Sequence, residues 1–207
     1  MQQPPRTLPR YFAPDRPPFD AVIDVRSPAE FADDHIPGAV NLPVLTDEER
    51  ARVGTIYKQV NPFEARKLGA ALVSRNIARH LDEHFAGHPN TYHPLVYCWR
   101  GGQRSGSLAL VLGQIGFRTT VLAGRYKTYR GEVMDGLREV AGRFTFRVLA
   151  GQTGSGKTGV LRELAALGGQ VLDLEELACH RGSLLGSEPG CPQPPQRLFE
   201  SRLYERL

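Results

Sequence analysis

The 207-residue chain is 41% hydrophobic and 23% charged, enough for one large or two small cores, and it holds no apolar run of the roughly 20 residues that would cross a bilayer. Its net charge of +4 rests on 26 basic residues, of which only Lys58, Lys67, Lys127 and Lys157 are lysine, so 22 arginines make RNA an admissible partner beside the plainer reading of an arginine-rich surface. The start MQQPPRTLPR lacks the apolar segment of a secretory signal, which makes the cytoplasm the expected compartment, and three cysteines with no CxxC pair argue against a disulfide framework and against zinc. Cys98, Cys179 and Cys191 are therefore expected as reduced thiols.

Residues 1–18 are proline-rich and polar and read as an extended arm. FDAVIDV follows as a buried strand, and SPAE as a helix start, with Ser27 at the N-cap, Pro28 in the first turn and Glu30 closing a capping box. After the turn HIPGAVNLP, the segment from Phe63 to His84 places Leu68, Leu72, Val73, Ile77 and Leu81 on one helical face. PLVYC is again a strand, RSGSLALVLGQIG a helix ended by glycine, TTVL a strand and RYKTYRGEVMDGLREV a helix. FTFRVLA and QVLDL read as two further strands, separated by a glycine-rich loop and the helix TGVLRELAAL. Strands alternating with helices predict a parallel sheet. A boundary at residues 141–143 separates a domain over 19–140 from one over 144–207. Two strands are few for the second domain, so the sequence reads as the front part of a longer protein, and the apolar face of RLFESRLYERL is expected to lack cover.

The chemistry concentrates in two glycine-rich stretches. In YCWRGGQRSGS, Cys98 ends a strand and precedes a helix, so its sulfur is expected at the focus of loop N–H groups and at the positive end of a helix dipole. Arg100 and Arg104 add positive charge, while Gly101, Gly102 and Ser105 keep the loop small. These features should favour the nucleophilic thiolate, against the alternative of a buried cysteine at a strand end.

GQTGSGKT matches the phosphate-loop pattern G-x-x-x-x-G-K-[ST], between a predicted strand and a predicted helix. Gly151, Gly154 and Gly156 let backbone N–H groups converge on phosphate oxygens, Lys157 neutralises charge, and Thr158 can hold a magnesium ion. The motif specifies phosphate or diphosphate and is neutral about ATP. Downstream, Asp173 can touch a metal or substrate hydroxyl or cap a helix, and His180 with Arg181 can complement a helix end or form a second site.

AVIDVRSPAEFADDHIPGAVNLP resembles the front signature of the rhodanese family, departing from it at Asp34, where many members carry glycine. That resemblance implies that Cys98 is the residue that carries transferred sulfur or its analogue, and that Asp24 and His35 are structural. The span from Cys98 to Arg104 is seven residues, longer than the six typical of sulfur-transferring members and similar to cell-cycle dual-specificity phosphatases. A rhodanese-like domain joined to a phosphate-loop domain, an α/β architecture whose second part is incomplete, resembles the tRNA 2-selenouridine synthases in segment order. VGTIYKQVNPFEARKLGA, GRYKTYR and DLEELACHRGS carry that resemblance further, with Arg125 standing where glycine is usual. It implies replacement of sulfur by selenium at wobble 2-thiouridine of tRNA, through an S-geranylated intermediate, with geranyl diphosphate and selenophosphate as co-substrates. That chemistry offers no obvious step that needs ATP, a selenophosphate-supplying enzyme is a further candidate partner, and the lack of a long apolar run leaves no membrane to expect. The readings kept beside it are a rhodanese-fold phosphatase and a non-catalytic fragment that binds RNA or anions.

Overall fold

The computed structural model describes residues 5–140, 142–152, 154–182, 186–187 and 189–207, and the chain divides into two compact units at Glu132/Val133. The first unit is a five-stranded parallel sheet in the order β1-β5-β4-β2-β3, built from Arg6–Leu8 (β1), Ala21–Asp24 (β2), Val40–Asn41 (β3), Pro94–Tyr97 (β4) and Thr120–Leu122 (β5). The central strand β4 is buried at all four positions, as expected when helices cover both faces. Chain direction reverses between β2 and β4: β2 leads outward to β3, whereas β4 leads the other way to β5. In open parallel sheets the crevice at the carboxyl ends of such a strand pair is where ligands bind. Cys98 follows β4 directly at that point.

The first helix, α1 (Pro28–Asp33), has the predicted Ser27 cap and Glu30 capping box. Between β3 and β4 lie two longer helices, α2 (Asp47–Gln59) and α3 (Pro62–His80), and a single π-helical turn over Leu81–Phe85. The sequence reading missed α2, whose apolar residues are too sparse to show a face. Its signal is local instead: Thr46 and Glu49 form a reciprocal capping box. Asn76 on α3 ties the pair to the sheet by donating to the Val44 carbonyl and to Glu49. α4 (Gln103–Ile115) ends at Gly116 in a left-handed conformation, and its Leu108 and Leu112 join Ile23, Val25, Val44, Ile77, Phe85 and Val96 in the core. α5 (Arg125–Val140) runs from the first unit into the second.

Two expectations change. Residues 6–8, read from their prolines as a free arm, are extended but paired: β1 lies parallel to β5 from Arg6↔Thr120 to Leu8↔Leu122, with Leu8 and Tyr11 buried. Conversely, FTFRVLA and QVLDL form no strand, and the described residues of the second unit hold helices α6 (Lys157–Ala166), α7 (Leu174–Leu177) and α8 (Gln196–Arg206) with one isolated bridge between His180 and Ser187. A parallel strand needs neighbours for its backbone groups, and no ladder forms among these residues. Helix α8 is better covered than its sequence suggested. Leu198 and Ser201 are buried, and the Tyr204 ring packs so closely on Gly136 that no side chain would fit there.

Candidate functional site

The sulfur of Cys98 lies on the floor of the loop between β4 and α4, with no exposed surface. Gly101 (φ 73°) and Gly102 (φ 79°) both take the left-handed conformation that favours glycine, and this double turn starts α4 at Gln103. The Ser105 hydroxyl, one turn into α4, donates to Cys98 Sγ at 3.2 Å, and the Sγ–H faces the Arg100 carbonyl at 3.8 Å. From the other side, the Tyr126 N–H holds the Cys98 carbonyl at 2.9 Å. The structure thus brings the thiol, the left-handed loop and the helix start together. Cys98 is also the one free cysteine among the described residues.

The two arginines separate. Arg104 grips Glu30 with both terminal nitrogens, at 2.7 and 3.2 Å, while Arg50 lies 3.8 Å from the same carboxylate. Burial alone would raise the Glu30 pKa, but the Arg104 hydrogen bonds outweigh it and hold the carboxyl below its ordinary value. Arg104 therefore fastens α1 to the loop. Arg100 is exposed and makes no ion pair among the described residues, which leaves it as the loop's free cation.

Beneath the loop lies a charged layer that the sequence reading assigned only in part. Arg26 is wholly buried and grips Asp24, with Nε at 2.9 and 3.0 Å from its two oxygens and a terminal nitrogen at 2.6 Å. The same terminal nitrogen donates to the Asp34 carbonyl at 2.6 Å, and the guanidinium sits 4.1 Å over the Tyr126 ring. Asp34, the departure from the family pattern, accepts from the Tyr126 hydroxyl at 2.7 Å with Arg130 3.8 Å away. Burial, and then this bond to Asp34, push the Tyr126 pKa up. His35 stacks on Phe31 at 3.8 Å and bonds the Phe31 carbonyl. Asp24 and His35 are thus seated as framework residues. Arg125 does more than tolerate its backbone position: its guanidinium fills the space a Cβ on Gly102 would take.

In the second unit the glycine-rich loop enters α6 through Gly154 and Gly156, both at φ 80°. Lys157 Nζ donates to the Gly151 and Gln152 carbonyls at 2.9 Å each, so the side chain curls over its own loop. Thr158 follows in the first turn of the helix. Asp173 caps α7, accepting from the Glu176 N–H at 3.0 Å. His180 Nδ1 accepts from the Gly182 N–H, and the Arg181 N–H donates to the Gly186 carbonyl, so Asp173 opens α7 while His180 and Arg181 act in the turn that follows it. The expectation of three free thiols fails here: Cys179 and Cys191 form a disulfide, their Cα atoms 5.8 Å apart. The two cysteines stand 12 positions apart, a spacing that does not display the pairing. Among the described residues no group of three or more metal-ligating side chains occurs, and no helix is long and apolar enough to cross a membrane.

Residues 13–132 match the family model of the rhodanese-like domain, and residues 144–207 match that of the tRNA 2-selenouridine synthase AAA domain. The chain is 41% identical over 190 residues to the tRNA 2-selenouridine synthase of Bdellovibrio bacteriovorus, covering 90% of this chain and 48% of that protein. It is 42% identical to the enzyme of the same name from Sulfurovum sp., over 88% of this chain and 49% of that protein. With that of Aeromonas salmonicida it is 40% identical over its whole length and 54% of the relative. The chain spans about half the length of the curated relatives it matches.

Proposed function

Because the chain belongs to the rhodanese-like domain family and continues into a match to the tRNA 2-selenouridine synthase AAA domain, we propose that its protein exchanges sulfur for selenium at wobble 2-thiouridine of tRNA. The observation that carries this reading is the Cys98 sulfur at the base of a left-handed double-glycine loop, with the Ser105 hydroxyl donating to it. Loop N–H groups and the start of α4 suit an anion there, and a hydroxyl already aimed at sulfur suits charge on a chalcogen.

The exchange divides into two displacements. In the first, the 2-thio sulfur attacks C1 of geranyl diphosphate: the S–C bond forms, the C–O bond breaks, and diphosphate leaves. The loop from Gly151 to Thr158 is the diphosphate site, where Lys157 exchanges its two carbonyl partners for phosphate oxygens. Thr158 is the residue to hold a magnesium ion if one accompanies the diphosphate. No step consumes ATP. In the second displacement, selenium from selenophosphate attacks C2 of the base, the C2–S bond breaks, and geranyl thiolate leaves and takes up a proton. Water accepts the phosphoryl group, releasing phosphate. Selenophosphate, delivered by the enzyme that makes it, binds at the Cys98 loop with its selenium seated against the Cys98 sulfur, Arg100 as its free cation, the Gly101 and Gly102 amides as donors and Arg104 holding the loop's width.

The test is mass analysis of wobble nucleosides made by the full-length protein. Cys98→Ser should abolish 2-selenouridine and leave the geranylated nucleoside in place. Lys157→Ala should abolish geranylation yet still exchange selenium into tRNA that already carries the geranyl group. Selenium incorporation by Cys98→Ser at the wild-type rate would remove the loop from the reaction.

A further inference from the structure

A groove of about 1400 Å³ opens beside the Cys98 loop, walled by α2, α3 and residues 99–104. Small-molecule pockets commonly run to roughly 300–1,000 Å³, so a tetrahedral anion seated at the loop would leave most of this space unfilled. Its lining includes the apolar side chains of Leu45, Val53, Val73 and Leu110. Gly69 of α3 faces Val53 of α2, where an added methyl group would make ordinary contact at 3.5 Å.

Charge on the walls is one-sided. Five cationic side chains line the groove against two acidic ones, Glu30 and Asp33. Glu30 is taken up by Arg104 and Arg50. Lys58, Arg66 and Arg100 are exposed and make no ion pair among the described residues. Aromatic rings line the same groove: Tyr57 is 53% exposed, and Trp99 has Tyr126 stacked on it at 5.0 Å.

Unpaired cations interleaved with accessible rings are the combination that binds unstacked nucleotides: cations take the phosphates, and rings take the π-faces of the bases. A base-paired stem cannot offer its faces to Tyr57, because they are already stacked. We propose that this groove seats the single-stranded nucleotides of an RNA loop, phosphates on Lys58 and Arg66 and a base on Tyr57, so that the neighbouring nucleotide reaches the Cys98 loop and Arg100 stays with the anion there. The choice of RNA rests on the tRNA reading above, whereas the groove and its chemistry stand on its own lining residues and their charge and exposure.

Equilibrium binding with the 207-residue chain separates the two. The probes are a labelled anticodon stem-loop RNA and a fully paired duplex of the same stem. The stem-loop is expected to bind at least tenfold more tightly than the duplex. Tyr57→Ala should weaken stem-loop binding about tenfold, in line with the loss of one stacked base. Lys58→Ala with Arg66→Ala should lower the slope of log K against log salt by about 1.4, from two lost phosphate contacts at about 0.7 each. All three side chains are exposed, so unchanged melting curves will establish that the variants are folded, and photocrosslinking of a halogenated uridine in the loop to Tyr57 gives a second readout. Equal binding of duplex and loop, wild-type affinity in these variants, or displacement of the RNA by polyglutamate at matched charge would overturn the proposal. None of those results touches selenium exchange, which the Cys98→Ser nucleoside assay reads separately.

Discussion

Arg125 holds a left-handed backbone (φ 61°) that costs a residue with a side chain roughly 1–2 kcal/mol, and it stands where glycine is usual in the resembled family. What offsets the cost is its guanidinium, packed on Gly102 at the start of α4. Arg125→Gly removes that packing but also the strain, whereas Arg125→Ala removes the packing and keeps the strain. The glycine variant should therefore be more stable than the alanine variant by about 1 kcal/mol, measured as urea unfolding free energies. Gly102→Ala should be worse than either, because its Cβ meets both a left-handed φ of 79° and the Arg125 guanidinium. The glycines of the Cys98 loop were legible in the sequence because they sit side by side. The partner that makes Gly102 obligatory was not, since it arrives from the far side of β5.

At the level of elements, α1 and α4 are joined across the site by one ion pair, Glu30 with Arg104. Glu30 has a folded pKa below its ordinary value of 4.5, so the pair stabilises the fold fully above that value and is lost as the pH falls through the lower, folded one. The thermal midpoint of the chain should fall on acidification below about pH 4.5, and Glu30→Gln should flatten part of that fall. An unchanged acid limb in the variant would mean that the pair contributes nothing measurable. Capping residues made α1 readable from four residues of sequence, and Thr46 with Glu49 would have done the same for α2. That Arg104 pairs with the capping-box glutamate was hidden, because Ser27, Glu30 and Arg104 meet only after β4 pairs with β2.

For the molecule as a whole, strand pairing is unequal between the two units: the sheet lies in the first, and no ladder occurs among the described residues of the second. Leu108 is wholly buried between α4 and the sheet, and Leu108→Ala should cost about 2–5 kcal/mol of the first unit's stability. Residues 144–150 have no ladder partner, and Val148 is 89% exposed. Amide hydrogens of 144–150 should thus exchange orders of magnitude faster than those of Leu95 and Val96, and comparable protection would show that FTFRVLA is a paired strand after all. Sequence by itself determined what is short-range: helix caps, the thiol between strand and helix, the glycine-rich loop before α6. Each depends on the chemistry of a few consecutive residues, and those act wherever the chain goes. Only the tertiary structure decided that residues 6–8 become an edge strand, that Asp34 answers Tyr126, that Cys179 meets Cys191, and that α2 and α3 enclose a cationic groove beside Cys98. These pairings join residues distant in the chain, and their free energy exists only once the sheet has closed the intervening loops.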